Sequence, residues 1–146
     1  LQGGRFGDPI KDVHELDLFA GPGELGLEAL SRGATRVTFV DNGRAAQKLI
    51  RDNITKLRRQ SDTDLLTTDS AKLPAGVACG LVFLDPPYGK NLGTKALSSA
   101  VANGWVGKGA LVVWEESQPQ IAPPGFTRLD QRRYGDSWIT FLRYQT

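Results

Sequence analysis

Methionine is absent from the 146 residues, cysteine and histidine occur once each, at Cys79 and His14, and no run of about 18 apolar residues appears. Each absence excludes something. A single thiol cannot form an intramolecular disulfide, and one Cys with one His leaves no cluster for zinc, so no metal is expected. Without a long apolar run or a basic-then-apolar leader the chain is expected to be cytoplasmic and to make no contact with membrane. With no methionine even at position 1, Leu1 is read as an internal residue of a longer protein. Charge is nearly balanced, 18 Lys+Arg against 16 Asp+Glu for a net +2, which permits a polyanionic partner without demanding one. What remains, 40% apolar residues, is the make-up of one ordinary domain that buries roughly 70% of its unfolded surface.

Short aliphatic runs bounded by Gly, Asp or Pro alternate with longer amphipathic stretches, which predicts βαβ units around a parallel sheet. Strands are expected over 15–20 (ELDLFA), 36–41 (RVTFVD), 64–68, 80–84 (GLVFL) and 109–114 (GALVVW). Helices are expected over 23–32, 43–58 and 91–103. In the second helix Ala46, Leu49, Ile50, Ile54 and Leu57 recur at three- and four-residue steps, the period of one buried face. Beyond the Pro-rich break at 118–125, segments 126–133 and 137–144 flank Tyr134-Gly135-Asp136, predicting an antiparallel hairpin at the sheet edge. The turn-rich residues 1–14 read as a linker or the remnant of an N-terminal extension, and 15–146 as the domain.

Directly after the first strand, Gly21-Pro22-Gly23-Glu24-Leu25-Gly26 fits G-x-G-x-x-G and opens a helix. Asp41, twenty residues beyond Gly21 at the end of the next strand, is placed to accept hydrogen bonds from ribose hydroxyls. The pattern points to an adenosine-type cofactor and leaves a dinucleotide and S-adenosylmethionine both open. Asp17, inside the strand, needs a partner: a ligand's charged end or a backbone donor.

Asp85-Pro86-Pro87-Tyr88 follows the apolar fourth strand, at the sheet end where α/β proteins bind ligands. Two prolines remove two backbone donors and stiffen the chain, leaving carbonyl acceptors. Asp85 adds a carboxylate and Tyr88 a flat face for a base. Such acceptors suit an exocyclic amino group, whose hydrogens they hold while its nitrogen pyramidalises and attacks a methyl group in line. The target base must then be unpaired or flipped into the pocket.

The run DLFAGPGELGLEALSRGATRVTFVD, Asn53 closing the second helix, the FLDPPY strand end and the RRYGDS hairpin together resemble the bacterial small-subunit ribosomal RNA guanine-N2 methyltransferases of the RsmD type. The resemblance runs from Glu15 to Tyr144. It implies a Rossmann-like class I methyltransferase fold: α/β, a seven-stranded, mostly parallel sheet with an antiparallel C-terminal hairpin strand and helices on both faces. It also implies S-adenosylmethionine as cofactor, ribosomal RNA or the assembling small subunit as partner, and a monomer. Carried over, Asp17, Phe19, Gly21, Gly23, Asp41, Asp69 and Ser70 are the cofactor-binding set, with Asp69 near the adenine amino group. Asp85, Pro86, Pro87 and Tyr88 are the catalytic motif. Pro22 and Gly43 depart from the family pattern, which has a small hydroxyl residue and a second acid there, and the family's basic extension with its R-P-T motif is not in this sequence.

Other readings compete. A small NAD-binding oxidoreductase would fit the glycine loop, but D-P-P-Y has no role in hydride transfer. A DNA adenine or cytosine methyltransferase would use the same tetrapeptide, and a non-catalytic RNA-binding module would keep the fold alone. Asp69-Ser70 would also suit an Asx turn or helix cap, Cys79 reads as a small buried thiol, and His14 as a solvated linker residue. The basic residues of the second helix, with Lys90, Arg128, Arg132 and Arg133, are either a solvated face or a phosphate track.

Overall fold

A computed structural model describes residues 7–87 and 91–145. Five strands run parallel: β1 (His14–Leu18), β2 (Arg36–Val40), β3 (Thr63–Leu66), β4 (Cys79–Leu84) and β5 (Val106–Glu116). β6 (Phe126–Tyr134) and β7 (Ser137–Tyr144) close the chain as a hairpin, giving the order β3-β2-β1-β4-β5-β7-β6. β7 is antiparallel to both its neighbours. Three helices, α1 (Glu24–Ser31), α2 (Arg44–Lys56) and α3 (Leu92–Ala102), cover the sheet. The seven-stranded α/β sheet with its edge hairpin is the architecture expected from the sequence.

Alternation along the strands sorts the core into two layers. Leu27, Leu30, Ile50 and Ile54 of α1 and α2 pack on Val37, Phe39, Leu81, Phe83, Leu111 and Phe141. Ala96, Leu97 and Ala100 of α3 pack on Leu16, Leu18, Val82, Leu84, Val112, Trp114 and Leu142. β4 is apolar on both sides because both its faces are covered. At the far edge Arg36 on β2 holds the Asp64 carboxylate of β3 through Nε and Nη2, each at 2.7 Å.

Chain order builds the binding crevice. β1, β2 and β3 step outward in one direction, and β4 then returns to the other side of β1. The connections after β1 and β4 therefore part at their carboxyl ends, which is where open α/β sheets take ligands.

Several boundaries differ from expectation. β1 ends at Leu18, since Phe19 turns into the left-handed region (φ 59°) and begins the loop. β5 starts at Val106, three residues before the expected Gly109, because Cys79 pairs with Val106 ahead of a register shift, so Gly107 and Lys108 also lie in the strand. His14 is a correction: it is the first residue of β1, half-buried, with Nε2 2.8 Å from Thr38 Oγ1, and burial lowers its pKa. Its pairing with Arg36 draws it out of the linker and into the sheet. Cys79 is a buried thiol whose pKa burial pushes up to about 12. Among the described residues no helix is long and apolar enough to cross a membrane, and no His, Cys, Asp and Glu group is arranged to hold a metal ion.

Glu15 is fully buried, and neither carboxyl oxygen has a hydrogen-bond partner among the described residues. Burial, followed by the charge of Asp17, holds its pKa well above the ordinary 4.5. The unfolded chain releases this proton above about 4.5 while the folded chain keeps it, so stability falls as pH rises from there. Glu15→Leu is expected to raise stability at pH 8 by about 1–3 kcal/mol, and by less at pH 5. Urea unfolding at the two pH values measures this, and equal loss of stability at both would show that Glu15 has a partner worth keeping.

Candidate functional site

The first loop grows from a conflict between a short helix and a buried acid. α1 begins at Glu24 with Gly23 as its N-cap, and no side chain caps it from within the loop. The cap comes from the sheet: the Gly26 amide donates to Asp17 Oδ2 at 3.2 Å. Of the two partners open to Asp17, the structure shows the backbone donor. Gly26 also lets α1 sit directly on β2, since a Cβ there would meet Val37 Cγ1 at 2.7 Å and crowd the Phe39 ring. Gly21 and Gly23 take positive φ values of 56° and 81°, which turn the chain from strand to helix.

Asp41 ties the loop down. Its Oδ2 accepts from the Gly21 amide at 2.9 Å and its Oδ1 from the Gly43 amide at 2.8 Å. Asn53, at the interior of α2, reaches back to donate to the Pro22 carbonyl at 3.0 Å. The acid after β2 thus orders the glycine loop while each of its oxygens keeps further lone pairs for a ligand.

Phe19, Asp41, Asn42, Asp85, Pro86 and Pro87 line one cavity of about 420 Å³ at the carboxyl ends of β1, β2 and β4. Five of these six were singled out from sequence; Asn42 was not, although its place beside Asp41 at a strand end is the signal that would have found it. Pro86 is buried and Pro87 exposed. Tyr88 and Lys90 lie outside the described residues. Asp69 and Ser70 do not line this cavity: Asp69 sits after β3, its Oδ1 accepting from the Ala71 amide at 2.9 Å in an Asx turn, and Ser70 is buried. On the other side of Asp85 a groove of about 470 Å³ runs between α1 and β4, β5 and β7, with Glu28, Arg32, Asp85 and Glu115 among apolar walls.

The site is rich in carboxylates. Asp17 is pushed up to about 8 by burial, against the Gly26 hydrogen bond, with Asp85 and Asp41 adding repulsion. Asp85 stands at the solvent-facing edge of its cavity, yet desolvation and then the charge of Glu115 push it up to about 6. Burial also raises Glu116, which takes a 3.0 Å hydrogen bond from Trp114 Nε1. Glu115 and Glu116 were missed from sequence, although two acids ending an apolar strand obey the same carboxyl-end logic as Asp85.

This sheet order, with β7 reversed between β5 and β6, a glycine loop after β1 and an acid after β2, defines a Rossmann-like methyltransferase domain. The family model of Conserved hypothetical protein 95 matches residues 5–143. Ribosomal RNA small subunit methyltransferase D of Haemophilus influenzae is 35% identical over 137 residues, covering 89% of this chain and 70% of that protein. The Escherichia coli protein of the same name is 33% identical over 73% of this chain, which spans 54% of it, little more than half its length. A crystal structure of a Haemophilus influenzae protein named as a methylase superposes with a TM-score of 0.84 at 31% identity, over 94% of this chain and 89% of that one. The chain belongs to this family, that of the ribosomal RNA small subunit methyltransferase D proteins.

The close approach at Gly26 makes it the loop position least able to take a side chain. Gly26→Ala should cost about 1–3 kcal/mol through overpacking against Val37 and Phe39. Chemical denaturation of the two proteins checks this, and a variant as stable as the wild type would mean that α1 can lift away from β2.

Proposed function

We propose that the protein transfers a methyl group from S-adenosylmethionine to an exocyclic amino group of a nucleobase, guanine N2 of small-subunit ribosomal RNA, acting as a cytoplasmic monomer on ribosomal RNA or the assembling subunit. One observation supports the cofactor class most directly: the Gly26 amide in the first turn of α1 is already taken by the Asp17 carboxyl. Helix starts that bind dinucleotides offer such amides to a pyrophosphate. Here the charges of Asp85 and Asp41 act on the buried Asp17, a setting that repels phosphates and favours a cation.

S-adenosylmethionine, when bound, supplies a methyl group on a sulfonium and carries a positive ammonium, and the residues present fit both charges. Asp17 and the loop at Gly21 and Gly23 would hold the methionine end and Asp41 the ribose hydroxyls, with Phe19 on the cavity wall; Asp69 and Ser70 are assigned to the adenine side. Asp85 and the Pro86 carbonyl accept the two hydrogens of the target amine, and the pair of prolines holds them stiffly. As the nitrogen takes the methyl group its positive charge grows, and the Asp85 carboxylate interacts more strongly with it than with the resting amine. The surplus proton then leaves to Asp85 or to water. Tyr88 is assigned to stacking on the base.

The acceptor role needs Asp85 ionised. With its pKa at about 6, activity is expected to rise with pH through that value and to level off above it. Asp85→Asn should lower kcat by about 10²–10³-fold and remove the rising limb. Asp41→Ala should weaken S-adenosylmethionine by about 1.5–3 kcal/mol, since it removes a charged acceptor and also frees the Gly21 and Gly43 amides. Radiolabelled methyl transfer to ribosomal RNA from pH 5 to 8, with calorimetry of cofactor binding, decides both. Tight NAD binding, or methylation of DNA in preference to RNA, would overturn the assignment.

A further inference from the structure

The β6–β7 hairpin reaches further than its place at the sheet edge suggests. Trp138 pairs with Glu116 at the end of β5 and Tyr134 pairs with Ser137, so the turn at Gly135 and Asp136 lies at the carboxyl end of the sheet, the end that carries Asp85. Side-chain parity sets the face. Ile139 and Phe141 pack in the layer of α1, so their partners Arg132 and Asp130 share that face, as does Tyr134 two residues on. Asp85, following Leu84, stands next to Glu115, Glu115 pairs with Ile139, and Ile139 pairs with Arg132. These four form a row across β4, β5, β7 and β6 that ends beside Tyr134, about three strand spacings, roughly 14 Å, from Asp85.

Tyr134 is 55% exposed and belongs to neither core layer, and its hydroxyl is hydrogen-bonded to the Arg132 side chain. Its neighbour Arg132 is immobilised: Nε lies 2.7 Å from Asp130 Oδ2, and Cζ stands 5.7 Å from the Phe141 ring centroid. Arg133, exposed on the opposite face, spends its Nε on the Gly135 carbonyl at 3.0 Å, and its Nη groups bond to nothing among the described residues. On α2 Lys48 is paired with Asp52, and beyond its end Arg59 with Asp62, while Arg44, Arg51 and Lys56 have no side-chain partner among the described residues but lie on the helix and not at the carboxyl end beside Asp85 and Glu115.

We propose that the β6–β7 tip is a contact surface for the unpaired RNA strand flanking the target nucleotide, with Tyr134 as a stacking platform for a flanking base and Arg133 as a phosphate contact. This rests on the reading of the protein as an RNA methyltransferase. An aromatic ring on a two-residue turn is already ordered, so little conformational entropy is lost when a base stacks on it, and stacking accepts any base. The guanidinium of Arg133, always charged and carrying several donors, suits a phosphate oxygen.

Fluorescence anisotropy with a labelled single-stranded oligonucleotide of small-subunit ribosomal RNA sequence tests this, alongside S-adenosylmethionine calorimetry and methyl incorporation on the same proteins. Tyr134→Ala should weaken RNA binding by about tenfold with cofactor affinity unchanged, and Tyr134→Phe should restore it, because stacking needs the ring and not the hydroxyl. Arg133→Ala should lower the salt slope of RNA binding by about 0.7. A Tyr134→Ala protein that binds RNA like the wild type, a Phe variant as weak as the Ala variant, or an unchanged salt slope would each overturn the proposal. Methyl incorporation by the wild type decides the enzymatic reading separately: RNA binding that depends on Tyr134 without methyl transfer would keep the contact surface and remove the activity.

Discussion

The Gly26 amide bound to the buried Asp17 carboxylate is the contact on which the rest of the site depends. It joins the third residue of α1 to the middle of the sheet, and it is possible only because position 26 has no side chain. With the helix start fixed there, the loop at Gly21 and Gly23 has a set length to cross between β1 and α1. Asp41 then closes that loop from β2, and Asn53 holds it from α2. Three elements thus converge on six residues of glycine-rich chain, which would otherwise have wide backbone freedom. A ligand that uses the loop meets a surface already ordered.

The same contact decides what charge the site welcomes. A carboxyl at the helix start takes the Gly26 amide, so one of the donors that such a loop could offer an anion is already used. Asp41 and Asp85 raise the pKa of Asp17 further, and Glu115 raises that of Asp85. Four acids on β1, β2, β4 and β5 therefore act as one field at the carboxyl edge. Such crowding is costly in an empty pocket and is relieved by a cation, which is the property that separates a sulfonium cofactor from a pyrophosphate one.

Much of this was legible because it rests on local patterns. GLVFL followed by Asp-Pro-Pro states a covered strand with a stiff end, and the pairing of two β-rich segments around Tyr134-Gly135-Asp136 states a hairpin; both stand where expected. What pairing decides was less visible. Val106, Gly107 and Lys108 belong to β5 because Val106 pairs with Cys79 ahead of the register shift, and His14 is drawn into β1 by Arg36 and bonded by Thr38. Asp41 was expected to serve a ribose, and only the three-dimensional arrangement shows that it also grips two loop amides. Asp69 sits after β3, apart from the residues lining the cavity, because β3 is the outermost strand of that half of the sheet.

β1 carries the burden of this design. Glu15 and Asp17 alternate onto the same face of this interior strand, both are buried, and the charge of Asp17 adds to burial in holding the Glu15 pKa up. A folded-state pKa of about 8 for Asp17, against 3.8 for an ordinary aspartate, means that stability declines as pH rises between those values, because only the unfolded chain ionises freely. A strand at the edge of a sheet would fray under that load. β1 is paired along its length by β2 and β4, so the cost is spread over two ladders and both core layers. The placement of the acid in a strand paired on both sides and covered by both core layers is what lets the fold bear a buried carboxyl with a pKa of about 8.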